Sequence, residues 1–173
     1  MGNNHTHVSQ GFRIVLRAMG PYLAREFRTE YGENWWNVAV LEILWEEQQR
    51  DLPESGEWSE LVDSLDIARV LLLFDLHWNN VFRKKLSVDH RTWAKELIGF
   101  RNKLAHLGGR DFSDDDTWRA LDTMSRLCEQ IDPEGAEEIR SLLRTLRYGT
   151  ELGSMALAEV PSQTKARRKN DGV

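Results

Sequence analysis

TWAKELIGFRNKLAHLGG, residues 92–109, places its apolar side chains at three- and four-residue steps. An α-helix turns about 100° per residue. On that geometry Trp93, Leu97, Phe100, Leu104 and Leu107 fall within about 80° of one another, the width of stripe that one helix presents to a core. Asn102 and His106 are four residues apart and share a face nearly opposite that stripe. Arg101 stands at the edge of the outward face, with a side chain long enough to reach round it. Arg91, Lys95 and Gly99 lie on the same face. A serine or aspartate start (Ser87 or Asp89) and a Gly108-Gly109 stop bound the segment as a helix. His106 is therefore not a core histidine. Geometry alone leaves two readings open: a solvated basic face, or a surface presented to a partner. Gly99 costs about 1 kcal/mol relative to Ala in mid-helix, and the close approach of a second backbone would give it a reason to be there.

The same periodicity extends outward in both directions. Residues 9–31 repeat Phe12, Val15, Leu16, Met19, Leu23 and Phe27 at helical spacing, interrupted by Gly20-Pro21, which predicts a kink or two short helices. Residues 33–50, with Trp35, Trp36, Val40, Leu44 and Trp45, read as a second helix, and DLPESGEW (51–58) as a loop. Residues 63–86 hold the longest apolar stretch and predict a central helix capped by Asp63 or Ser64. Ser113 caps a further helix with an acidic first turn, whose buried stripe is Trp118, Leu121, Met124 and Leu127. Pro133 opens the last one. The expected fold is all-α, a single bundle of about five to seven helices. Its parts are a flexible end at 1–7, the bundle at 8–147, and a flexible basic tail or linker at 148–173. Trp78 and Trp93 belong to the core by their spacing, and His77 and His90 are structural.

Composition narrows the function classes. The chain has 173 residues, 40% hydrophobic and 29% charged, which suits one folded domain. Cys128 is the only cysteine, so neither an internal disulfide nor a cysteine-based zinc site is possible, and a cytoplasmic setting is expected. The longest apolar run, VLLLF at 70–74, is too short to span a bilayer. Net charge is −5, and the tail 161–173 carries Lys165, Arg167, Arg168 and Lys169 against Asp171. The acidic body argues against strong nonspecific binding to phosphate backbones, so any nucleic-acid contact must be a local basic patch. No glycine-rich phosphate loop is present, and no carboxylate–histidine cluster suggests a metal, so neither metal nor cofactor is expected.

RNKLAH, residues 101–106, fits an Arg-(Asn/Asp/His)-x-x-x-His pattern, and its context is more specific still. LLLFDLHWNNVFRKKL, TWAKELIGFRNKLAH and FSDDDTWRALDTMSRLCEQI resemble, in order and spacing, the HEPN superfamily (higher eukaryotes and prokaryotes nucleotide-binding). The subgroup is the one named for a yeast nuclear RNA endoribonuclease. GFRIVLRAMGPYLAREFRTEYGENWW at 11–36 also looks like theirs. The resemblance covers roughly 8–147. Leu104 departs from it by standing where many relatives carry Trp, an apolar exchange on the buried stripe. Prokaryotic members often front large ATPases or helicase-like proteins linked to phage defence.

The resemblance implies a helical bundle that pairs as a homodimer, bringing two Arg…His motifs into one cleft. Catalytic members cut RNA without metal, using the ribose 2′-OH as nucleophile. Other members bind RNA or protein without catalysis, and that alternative stays open here. For this chain the implied catalytic residues are Arg101, Asn102 and His106, acting on single-stranded RNA. An imidazole can accept the 2′-OH proton, a guanidinium can clamp the phosphoryl oxygens, and Asn102 can orient the imidazole. Arg91, Lys95 and Lys103 are candidate RNA-binding cations, with ordinary surface charges the favoured reading. Glu96 lies away from the trio.

Overall fold

The computed structural model describes residues 3–108 and 110–158, with side chains as far as Gly149. Six α-helices account for most of it: α1 (Asn4–Tyr31), α2 (Trp58–Asp63), α3 (Ile67–Leu76), α4 (Val88–Ala105), α5 (Asp114–Glu129) and α6 (Pro133–Ala158). No strand occurs among the described residues, and no described helix is long and apolar enough to cross a membrane. The fold is the all-α bundle expected.

α1 is its spine. Val8, Phe12, Val15, Met19, Leu23 and Phe27 recur every three or four residues and are all buried, packing the helix on α5, α3 and α6. Fully burying a Leu or Phe contributes on the order of 1.5–3 kcal/mol. The helix runs through Pro21 without interruption, so the interruption expected at Gly20-Pro21 does not divide it. Gly11 sets the spacing to α5: a Cβ there would stand 2.5 Å from Met124 Sδ and 2.8 Å from Leu121 Cδ2. Phe27, Phe74 and Phe82 close the other end of the core, with ring centroids 5.7 Å and 4.6 Å from that of Phe82.

The chain's start differs from expectation. α1 begins at Asn4, inside the stretch 1–7 read as flexible. Asn4 is buried, and its Nδ2 donates to Phe112 O at 2.8 Å and Asp114 Oδ1 at 2.7 Å. Backbone N–H groups of Asn4 and His5 donate to the Asp111 carboxylate at 3.1 and 2.6 Å. A helix leaves its first donors unsatisfied, Asn3 supplies no side-chain cap, and Asp111 does so from across the fold. At the other end α6 continues to Ala158, past the expected limit at 147. The remainder of the proposed tail, 159–173, lies outside the described residues.

The expected helix 33–50 does not form. A short 3-10 turn (Gly32–Asn34) leads to a π-helical turn (Asn37–Leu41), where Glu42 N–H reaches Asn37 O at 2.9 Å. Side chains then take the carbonyls that a longer helix would use. Gln49 Nε2 donates to Leu41 O and Leu44 O at 2.7 Å each, and Arg69 donates to Gln48 O and Arg50 O. Trp45 is consequently 80% exposed rather than part of an apolar face. The stretch read as a loop gives way at Trp58 to α2, held by a reciprocal Glu57–Glu60 capping box. The expected helix 63–86 is cut to α3, capped by Asp66, and ends where His77 Nε2 donates to Ala39 O at 2.8 Å. Trp118, expected in the buried stripe of α5, is half exposed. Thr117 takes the inward place, its hydroxyl satisfied by Ser113 O at 2.8 Å.

Two predictions follow from this packing. Gly11→Val should cost about 1–3 kcal/mol, read as a lower urea midpoint, because the added carbons overlap Met124 and Leu121 in a closed core. His77 and His90 are both buried, and burial lowers the pKa of each below the ordinary 6.5. Unfolded imidazoles take up protons as pH falls through that value while the folded ones do not. The unfolded state then binds more protons, so stability should fall from about pH 7.5 to about pH 5.5. His77→Gln, which keeps a donor for Ala39 O, should flatten that profile.

Candidate functional site

α4 ends at Ala105, and His106 occupies its C-cap, with φ −115°, ψ 13° and its N–H on Lys103 O at 3.1 Å. The helix expected to reach 108–109 stops three residues sooner. Gly108 takes φ 55°, the left-handed conformation that ends helices, and the chain turns to deliver Asp111 to the start of α1. His106 therefore sits where a rigid helix meets a loop tied down at its far side.

Asn102 and His106 are exposed. The imidazole has no hydrogen-bond or ion-pair partner among the described residues. Arg101 is half-buried; its Nη1 donates to Asn102 Oδ1 at 3.4 Å, a long and weak bond. Its stem borders an apolar groove of about 270 Å³ between α1, Ile67 and the end of α4, walled by Phe12, Leu16, Ile67 and Leu104. Arg13 of α1 lines the same groove. Like Arg101, it has no carboxylate partner among the described residues.

The remaining cations of α4 are not gathered here. Arg91 Nε donates to Asp75 Oδ1 at 2.6 Å, and Lys95 Nζ lies 3.8 Å from the same oxygen. Along the helix they stand about 22 and 16 Å from His106. Lys103 pairs with Asp116 and holds its ammonium 5.4 Å from the Phe112 ring centroid. Among the described residues of α4, Arg101 is thus the cation left without a carboxylate. Glu96 is committed elsewhere, to Arg119 and, at 3.0 Å, to Thr123 Oγ1. Gly99 is exposed, and a Cβ there would meet nothing within 4 Å. No group of three His, Cys, Asp or Glu among the described residues is placed to hold a metal ion.

Comparison with known families gives the arrangement its context. The model of the family described as Swt1-like HEPN matches residues 10–132. The chain belongs to the Swt1-like HEPN family. No curated protein and no solved structure matches it significantly. The matched region of this HEPN domain takes in most of α1 and the whole of α2 to α5, so Arg13, Arg101, Asn102 and His106 all fall within it. HEPN domains are often ribonucleases, and others serve as nucleotide-binding modules.

Sequence reasoning missed Arg13. It lies 88 positions from Arg101 on a different helix, and no pattern in the chain links the two. Only the tertiary packing, in which α1 and α4 each lie against α3 and α5, brings them to one groove.

Exposure separates the candidate site residues from structural ones in a way that unfolding can read. His106→Ala and Asn102→Ala should leave stability within about 0.5 kcal/mol. Asn4→Ala, which strands the Phe112 carbonyl, should cost about 1–2 kcal/mol. Urea titrations of the three variants beside the parent check both expectations.

Proposed function

We propose that this HEPN domain is a metal-independent endoribonuclease acting as a homodimer, in a cytoplasmic phage-defence or RNA quality-control role. Arg101, Asn102 and His106 of two copies would meet in one cleft. The observation that carries the reading is an Arg101-Asn102-x-x-x-His106 set, with Asn102 and His106 exposed, Arg101 half-buried and no carboxylate partner on any of them, inside the region matched to a HEPN family. A cation already paired has to give up its carboxylate before it can hold a phosphate; Arg101 has none to give up.

The chemistry asks for three things. A base takes the proton of a ribose 2′-OH, and the free imidazole of His106 is suited to it. O2′ attacks the adjacent phosphorus, the P–O5′ bond breaks, and O5′ leaves as the 5′-OH with a proton taken from water. The products are a 2′,3′-cyclic phosphate and a 5′-OH. Charge gathers on the non-bridging oxygens, where Arg101 offers forked donors. Asn102, one helical turn before His106, can hold the imidazole or a phosphate oxygen. Arg13 adds a second cation on the groove, better placed for a flanking phosphate than Arg91, Lys95 or Lys103. Pairing finds support in Gly99, since nothing in its own chain explains an exposed glycine in mid-helix.

The acidic balance of the chain does not oppose RNA here. Residues 33–63 hold nine carboxylates and one cation, Arg50, and so account for the whole surplus of the body. Arg28, beside the tryptophans of that segment, is about 28 Å along α1 from Ser9, which borders the groove. That is more than three screening lengths of about 8 Å at physiological salt.

Labelled single-stranded RNA incubated in EDTA tests the reading. The parent should cut it and leave cyclic-phosphate ends. His106→Ala should be slower by about 10²–10⁴, and Arg101→Ala by about 10²–10³. Sedimentation at tens of micromolar, well above ordinary dimer affinities, should show a dimer that Gly99→Trp converts to an inactive monomer. Equal cleavage by parent and His106→Ala defeats the proposal. RNA binding without cleavage would leave the non-catalytic module as the function.

A further inference from the structure

The acidic segment 33–63 contains the most aromatic part of the fold. Trp35 packs edge to face with Trp36 and at a tilt with Trp58, its ring centroid 5.4 Å from each. Trp36 is fixed by its Nε1 donating to Pro53 O at 2.8 Å. Together they wall an open cavity of about 380 Å³, rimmed by Arg28, Glu33, Glu54 and Glu57. That volume is within the range of pockets that take a small ligand or a side chain.

The rim carries three carboxylates against one guanidinium, so an anionic ligand is repelled. Glu57 is occupied by the α2 capping box, and Glu33 by Arg28 Nη2 at 2.6 Å. Glu54 is exposed and has no partner among the described residues. The protein itself shows what the aromatic wall accepts. The Arg28 guanidinium carbon lies 6.0 Å from the Trp58 ring centroid, the outer reach of a cation–π contact. A second cation, reaching Glu54 from solvent, would meet the ring quadrupole and an uncompensated carboxylate at once.

The segment that bears the pocket offers charge for more than one cation. Glu42, Glu46, Glu47 and Asp51 stand on the same segment, and so does Trp45, 80% exposed. The loop bearing Trp45 is already ordered by Gln49 and Arg69, so little conformational freedom remains to be lost on binding. A rigid, exposed tryptophan is the residue type that most often anchors a protein interface. A small amine would use neither the spread of charge nor this anchor.

We propose that the Trp35–Trp36–Trp58 pocket and the acidic segment that bears it bind a basic polypeptide segment of a partner protein, with one lysine or arginine side chain held between Trp58 and Glu54. This surface is separate from the groove at Arg101 and does not depend on the ribonuclease reading.

Fluorescence anisotropy with the full chain and a labelled (Lys-Gly-Arg)3 peptide tests it. Binding near ~10 μM is expected, weakened at least about tenfold by Glu54→Lys and several-fold by Trp45→Ala. Asp115→Lys, an equal charge reversal on α5, should change it less than about twofold. All three positions are exposed, and circular dichroism verifies that the variants fold. Equal affinity of Glu54→Lys and the parent overturns the proposal, as does equal binding of a (Glu-Gly-Asp)3 peptide. Displacement by spermidine at matched charge would mark a polyamine site, and displacement by single-stranded RNA a nucleic-acid surface; either result also overturns it.

Discussion

Asp111 holds the two ends of the candidate site together. α1 begins without a side-chain cap of its own, and the carboxylate of Asp111 accepts its first two N–H groups while Asn4 reaches back to Phe112 O and Asp114. Phe112 is buried between them. The clasp spans more than a hundred residues of sequence and fixes the loop that follows His106. Without it the C-cap histidine would sit on a loose connection. With it, His106 is bracketed by a helix end on one side and a tertiary tether on the other. A functional side chain needs that kind of support to hold its geometry.

Charge is arranged with similar economy. Along α4 Asp75 pairs with Arg91 and Lys95 and Asp116 with Lys103, leaving Arg101 without a carboxylate on the groove that Arg13 shares. Around the far end of α1 the surplus is negative and surrounds an aromatic pocket. The net charge of the whole chain averages two surfaces of opposite character. Screening over the length of α1 separates the two electrostatically, which a single net value conceals.

Local rules read well wherever one element's own pattern decided the outcome. The 3.6-residue repeat located α1, α4, α5 and α6, Ser113 capped α5 as its position suggested, and Pro133 opened α6. They failed where a side chain from elsewhere took a backbone carbonyl. Gln49 and Arg69 ended what would have been a helix through Trp45, and His77, bonded to Ala39 O, marks where α3 stops. Trp118 was misread for a related reason: a threonine that satisfies its hydroxyl on its own helix can be buried in place of a larger neighbour.

Periodicity within residues 92–109 sufficed to put Asn102 and His106 on the side of α4 turned from the core, because a helix's angular repeat is a property of the backbone and needs no knowledge of neighbours. The all-α class followed on the same grounds. Which cations are free, that Arg13 joins Arg101, that the helix stops before His106, and that the negative charge borders three tryptophans all depend on contacts between residues far apart in the chain. Such contacts are set by how whole helices pack, and no local pattern encodes them.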